Sequence, residues 1–195
     1  MVIVNGYKVM HSVSTDKITN IAGIILAGGK SSRMGRDKAK IEFKGKILLD
    51  HMYSLLKDSG IQKIYISRGE EIKDIIPNCG PLGGIYSVLQ KIEDQEVIIL
   101  PVDMPLLSME LLQKLIDTEY DDAAIFKNYN FPLKLRNSNI INTKLRNKLN
   151  GVNSTKSLSV SSLLNEINIK EIFLFSAEEQ FFINVNTVEE LEKIR

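Results

Sequence analysis

A chain of 195 residues can bury one substantial core, which makes two full domains unusual. Its charges nearly cancel, 25 Lys and Arg against 24 Asp and Glu for a formal net charge of +1, so no global field exists to attract nucleic acid and any anion recognition must be local. No apolar run approaches the roughly 20 residues that span a bilayer, and the single cysteine, Cys79, can form no internal disulfide and has no neighbours at metal-ligand spacing, which points to a soluble protein of the cytoplasm.

Residues 1–20 mix Val and Ile with Asn, Lys, His and Ser and lack the pattern of a secretory signal. They read as an N-terminal extension without an assigned function, either a short hairpin around Asn5-Gly6 or a frayed arm. Residues 21–195 are expected to form one domain. The run at 21–27 is apolar and branched and ends in glycine, the pattern of a buried strand feeding a loop. That loop is the most informative stretch of the chain: Leu26-Ala27-Gly28-Gly29-Lys30-Ser31-Ser32-Arg33-Met34-Gly35-Arg36-Asp37-Lys38-Ala39. Glycines let backbone N–H groups approach phosphate oxygens, and Arg33 and Lys38 neutralise charge that backbone dipoles alone cannot. Gly29-Lys30-Ser31 supplies the end of a P-loop, but the first glycine of that motif would fall on Ile24. Gly28, Gly29 and Gly35 do not give the dinucleotide spacing either. A glycine-rich turn with solvated basic residues is the plain alternative to a nucleotide-binding loop.

The spacing of apolar residues predicts a helix over 47–56, stopped by Gly60, and a strand over 63–67. Gly80-Pro81-Leu82-Gly83-Gly84 carries more glycines than a helix start needs, which suggests a backbone that approaches a base or ribose closely; a loop and a helix N-terminus is the structural alternative. A helix over 82–92 follows, then a strongly aliphatic strand over 96–102 that delivers Asp103 at its end. A charge there needs compensation. Magnesium bridging phosphate oxygens provides it, and capping of the turn before Pro105 is the competing role. Ser108 caps a third helix with Glu110 in its first turn and Leu111, Leu112, Leu115 and Ile116 facing inward, and a strand covers 122–126. This alternation argues for an α/β fold, a Rossmann-like three-layer sandwich with a mostly parallel central sheet, helices on both faces and the ligand outside the carboxyl ends of the strands.

Beyond Phe131-Pro132-Leu133-Lys134-Leu135, helices are expected over 143–150 and 157–167 and extended segments over 171–175 and 182–185. A last helix over 187–194 opens on Thr187 and Glu190 as a capping box. The later strands are expected to be antiparallel or mixed, as an edge variation on a parallel sheet. His51 on the first helix reads as a helix-face or core residue, and His11 lies in the extension, so neither enters the chemistry.

Four segments in order, Leu26 to Lys38, Gly80-Pro81-Leu82-Gly83-Gly84-Ile85, Pro101-Val102-Asp103-Met104-Pro105-Leu106, and Asn184-Val185-Asn186-Thr187-Val188-Glu189-Glu190-Leu191, resemble those of the molybdenum cofactor guanylyltransferases, a branch of the nucleotidyltransferases of the nucleotide-diphospho-sugar transferase fold. The resemblance covers nearly all of the chain after residue 20. It implies transfer of GMP from GTP to the terminal phosphate of molybdenum-molybdopterin with release of pyrophosphate, and dependence on Mg²⁺. It also implies catalytic roles for Arg33, Lys38 and Asp103, with Asp103 on the metal, and nucleotide contacts by Leu26, Ala27, Gly28, Gly29, Arg33, Lys38, Tyr65, Asp74, Gly80, Pro81, Leu82 and Gly83. Asn184 and Asn186 would line the pterin side, near Phe131-Pro132-Leu133; a turn before the Thr187 cap is the other reading of that pair. By itself Asp74 reads as a solvated loop acid. Partners implied are small-molecule substrates, molybdenum insertion proteins and molybdoenzyme chaperones, with no nucleic acid or membrane, for a monomer or weak homo-oligomer. An attacking phosphate oxygen is already ionised at neutral pH, which explains the absence of a Ser-His or Cys-His pair. Relatives commonly present asparagine near the end of the second strand where this chain reads Tyr65-Ile66-Ser67-Arg68, so cytidylyl transfer or another NTP transfer remains an alternative for the base. A non-catalytic nucleotide-binding regulator is the third reading, and intact Arg33, Lys38 and Asp103 speak against it.

Overall fold

A computed structural model describes residues 20–27, 38–67, 72–151 and 158–194. The apolar run Ile21–Leu26 forms β1 and is buried at all six positions, because it has a strand on each edge and a helical layer on each face. β2 (Glu42–Phe43) and β3 (Lys46–Ile47) make a small hairpin whose turn residues, Lys44 and Gly45, take φ of 48° and 79°, the left-handed pair of a two-residue turn. Then follow α1 (Leu48–Asp58), β4 (Lys63–Ser67), α2 (Gly80–Leu89), β5 (Glu96–Pro101), α3 (Met109–Asp117), β6 (Ala123–Phe126) and β7 (Leu133–Arg136). α4 (Asn139–Asn150), α5 (Val160–Leu164), β8 (Ile169–Ile172) and α6 (Val188–Glu192) complete the chain.

Six strands form one mixed, mostly parallel sheet in the order β4-β1-β5-β7-β6-β8. β1 runs parallel to β4 and β5, β6 runs parallel to β8, and β7 runs against both of its neighbours. Two apolar layers sandwich the sheet. One joins Ala22, Ile24 and Leu26 of β1 to α2, α4 and α5. The other joins Ile21 and Ile25 to α1, α3 and Leu191 of α6. Adjacent residues of β1 thus serve opposite layers, as the alternation of a strand requires.

Sequence and structure differ in several places. The antiparallel strand lies inside the sheet, between β5 and β6, rather than at an edge. α2 begins at Gly80 rather than Leu82, because Gly80, at φ +59°, turns the chain into the helix and Pro81 sits in the first turn, where no N–H is needed. α4 begins at Asn139 rather than 143, since Ser138 accepts a hydrogen bond from the Ile141 N–H and caps an earlier first turn. Residues 182–185 are not a strand: Phe182 ends the 3-10 helix Ser176–Phe182 and packs on Phe126 and Tyr129 at ring distances of 5.0 and 4.3 Å. The helix expected over 157–167 is reduced to Val160–Leu164, and residue 157 lies outside the described residues, as does the hairpin considered within 1–20. His51 joins α1 to the hairpin, with Nε2 2.6 Å from the Phe43 carbonyl oxygen. Among the described residues no helix is long and apolar enough to cross a membrane.

Candidate active site

Strand register brings the sequence-distant loops together. Leu26, the last residue of β1, pairs with Ser67 at the end of β4 on one side and with Pro101 at the end of β5 on the other. The three parallel strands therefore stop level, and the Val102 N–H donates to the Leu26 carbonyl oxygen at 3.3 Å just past the edge. From β1 the chain crosses over one face through α1 to β4, then over the opposite face through α2 to β5. Its direction of travel reverses between β1 and β5, which opens a crevice at their carboxyl ends. Ala27 leads from this edge into Gly28, and Asp103 stands two residues beyond Pro101, half-buried.

Gly28, Gly29 and Arg33 lie outside the described residues. Lys38 opens the short 3-10 helix Lys38–Lys40, which leads into the hairpin, and the Leu48 N–H donates to the Ile41 carbonyl at 2.8 Å to close that hairpin against α1. The chain thus leaves the sheet at Leu26 and, at 38–48, runs through the short helix and the hairpin into α1.

The late asparagine segment reaches the same edge. The Val185 N–H donates to the Asp103 carbonyl at 2.8 Å, and Val185 is buried while Asn184 and Asn186 on either side are exposed. Glu190 of α6 accepts from the Asn186 N–H at 2.6 Å, and the Thr187 hydroxyl accepts from the Glu190 N–H at 3.1 Å. The expected capping pair is present, with the carboxylate reaching one residue further back than in the usual box. β7 contributes from the other direction: Leu133 pairs with Ile99, so the antiparallel course carries Phe131 and the cis Phe131-Pro132 peptide to the carboxyl end of β5.

α2 approaches the same edge from the opposite face. A Cβ built on Gly84 would lie 2.1 Å from the Ser67 Oγ, 3.2 Å from its Cβ and 3.8 Å from Leu26 Cδ2. Only a bare backbone lets the helix seat itself this close to the ends of β4 and β1. Leu82 and Gly83 are buried by that seating and Pro81 is exposed. Asp74 is half-buried in the segment between β4 and α2. Tyr65 departs from the group: it pairs with Ile24, two residues back from the strand end, and packs on the apolar layer beneath α2.

Two polar residues were missed from the sequence. Ser67, 2% exposed, occupies the end of β4. Ser87 lies wholly buried in α2, with its hydroxyl bonded to two segments of the site. A serine hydroxyl within the largely apolar run Ile85-Tyr86-Ser87-Val88-Leu89 must find partners, and that was the available signal.

The far end of the sheet carries a second concavity, about 530 Å³, lined by residues that include Glu96, Tyr120, Lys134 and Arg136. Lys134, 5% exposed, donates to the carbonyls of Ile116 and Thr118 at 2.6 and 3.2 Å and lies 3.6 Å from a Glu96 oxygen. Burial, aided by the Glu96 carboxylate, holds the Tyr120 phenol far above the usual tyrosine range. None of the expected site residues lines this concavity.

The MobA-like NTP transferase domain matches residues 23–166. The chain is 34% identical over 177 residues to a molybdenum cofactor guanylyltransferase of Xanthomonas euvesicatoria, covering 88% of this chain and 93% of that protein. Its fold is similar to that of the molybdopterin-guanine dinucleotide biosynthesis protein A of Archaeoglobus fulgidus, with a TM-score of 0.67, 21% identity and coverage of 89% and 95%. It is also similar to the 4-diphosphocytidyl-2C-methyl-D-erythritolsynthase of Anaerococcus prevotii, with a TM-score of 0.61, 17% identity and the same pair of coverages. With the domain match spanning most of the chain, this protein belongs to the family of MobA-like NTP transferase domains.

Proposed function

We propose that this protein is a nucleotidyltransferase that moves GMP from GTP to the terminal phosphate of molybdenum-molybdopterin, yielding the guanine dinucleotide cofactor and pyrophosphate. The observation that carries the reading is the register of Leu26 with Pro101, which sets the stem of the glycine loop beside the strand that presents Asp103. The 34% identity to a guanylyltransferase supports guanine as the base.

In this reading the backbone amides of Gly28 and Gly29 hold the triphosphate, while Arg33 and Lys38 place positive charge on the α-phosphoryl group and the departing pyrophosphate. Leu26 and Ala27 shape the strand end beneath the nucleotide. Gly80, Pro81, Leu82 and Gly83, with Asp74 and Tyr65, form the nucleoside side, and Asn184 and Asn186 the pterin side. An oxygen of the acceptor phosphate attacks the α-phosphorus. The bond to the β-phosphate oxygen breaks, that oxygen keeps the electron pair, and no side-chain base is required because the nucleophile is already ionised.

The donor set fits magnesium. Among the described residues no group of three His, Cys, Asp or Glu side chains could hold a metal by itself. Mg²⁺ prefers one or two carboxylates with substrate phosphates and water, which the half-buried Asp103 beside the phosphate loop supplies. When bound, the ion draws charge from the phosphate oxygens. A cytoplasmic location, a monomer or weak homo-oligomer and hand-over to molybdenum insertion proteins and molybdoenzyme chaperones belong to the same proposal.

The test is release of pyrophosphate from each NTP with reduced, metal-loaded molybdopterin. GTP-dependent release is expected, and its absence overturns the reading. Relatives commonly present asparagine near the end of the second strand, where this chain reads Tyr65-Ile66-Ser67-Arg68, and cytidylyl transfer is therefore the second reading. CTP outcompeting GTP in the same assay would select it.

A further inference from the structure

We propose that Ser87 is a positioning residue for the nucleoside, its buried hydroxyl locking the arm that carries Asp74 to the first turns of α2; the inference rests on the nucleotidyl-transfer reading. Ser87 is 0% exposed within a helix whose residues from Leu82 to Leu89 are all buried. Its Oγ donates to the Gly83 carbonyl oxygen at 2.8 Å, one turn earlier, a common habit of serine inside a helix. The second bond is not local. The Ile75 N–H, twelve residues away in the segment before α2, donates to the same Oγ at 2.8 Å. One hydroxyl therefore spends its proton on the Gly80–Gly83 turn and its lone pair on the backbone next to Asp74.

Those two segments are the pair assigned to the nucleoside, and neither is assigned to the triphosphate. α2 is in turn seated on the strand ends by the close approach of Gly84 to Ser67. The hydroxyl thus transmits a fixed helix position to the Asp74 arm at Ile75, whose side chain is 51% exposed, while Ile72 and Ile76 on either side pack on the apolar layer. Removing the hydroxyl loosens the arm around Ile75, and the nucleoside must then supply that ordering on each binding event.

Ser87→Ala is expected to weaken GTP binding about five- to tenfold, the worth of one net hydrogen bond, while leaving magnesium pyrophosphate binding unchanged, both read by calorimetric titration. A role confined to stability would lower the melting temperature and leave the ratio of the two affinities as it was. That result overturns the inference while GTP binding by the parent protein still stands. A parent protein that binds neither GTP nor pyrophosphate overturns the functional reading and this inference together. Should Ser87→Ala not fold, amide exchange in the parent decides. The Ile75 amide is expected to exchange slowly, and exchange at the rate of an open loop overturns the inference.

Discussion

Substituting Gly84 by alanine tests the seating of α2 on the sheet most directly. The new Cβ would lie 2.1 Å from the Ser67 Oγ and 3.2 Å from the Ser67 Cβ, with Ser67 itself 2% exposed. Rotating the hydroxyl away relieves the first contact but not the second, so either the helix or the end of β4 must shift. Overpacking of this kind costs about 1–3 kcal/mol, and the better helix propensity of alanine returns up to about 1 kcal/mol. Steric cost wins, for an expected net loss of roughly 1–2 kcal/mol by urea unfolding with an unchanged m-value. Ser67→Ala in the same background should recover part of the loss, and Ser67→Gly more of it because the Cβ leaves as well. The double-mutant cycle should then show coupling on the order of 1 kcal/mol. A Gly84→Ala protein as stable as the parent, or a cycle with no coupling, would refute the claimed contact. Weaker GTP binding should accompany the loss, because the displaced helix carries the Gly80–Gly83 turn.

Asp103→Asn and Lys38→Ala are each expected to lower pyrophosphate release about a hundredfold or more, as removal of charge stabilisation does elsewhere; parent-like turnover in either would show that the site is misplaced. Ser108 accepts from the Leu111 N–H at 3.3 Å, so Ser108→Ala should cost about 1 kcal/mol of unfolding free energy with catalysis intact. Alkaline pH should destabilise the fold. Tyr120 is raised by burial and Lys63 by its hydrogen bond to Asp94, so both hold protons more tightly folded than unfolded. Their stabilising contribution is complete below the unfolded values near pH 10 and fades as pH rises beyond them. Tyr120→Phe should flatten that limb of the stability profile, and an unchanged limb would argue against it.

The parts of the fold that could be read from the sequence are those where one physical demand dominates. β1 and β5 are aliphatic because both of their faces are covered, and α3 shows its Ser108 cap and its inward Leu111, Leu112, Leu115 and Ile116 because a single stripe is buried. β7 was harder. Leu133-Lys134-Leu135 suggests a solvent-facing lysine, yet Lys134 is buried and its ammonium is held by two carbonyls and Glu96. No local pattern announces such partners, since Ile116, Thr118 and Glu96 come from other elements. The site divides the same way. Asp103 and Gly28 are visible as ends of apolar runs, whereas Ser87 acts through a bond to Ile75 that only folding creates. That Tyr65 packs on the apolar layer beneath α2 follows from its register two places short of the strand end, which no local pattern announces.

The hairpin Glu42–Ile47 has a consequence for how such proteins diversify. It clasps α1 through His51 and Phe43 and through the Leu48 amide, so the chain that follows residue 37 is anchored to the scaffold by bonds of its own. In the proposed reading, the stretch numbered 28–37 could then be exchanged for that of a relative between the end of β1 and this hairpin. On that reading, phosphate binding and foldability become separable traits.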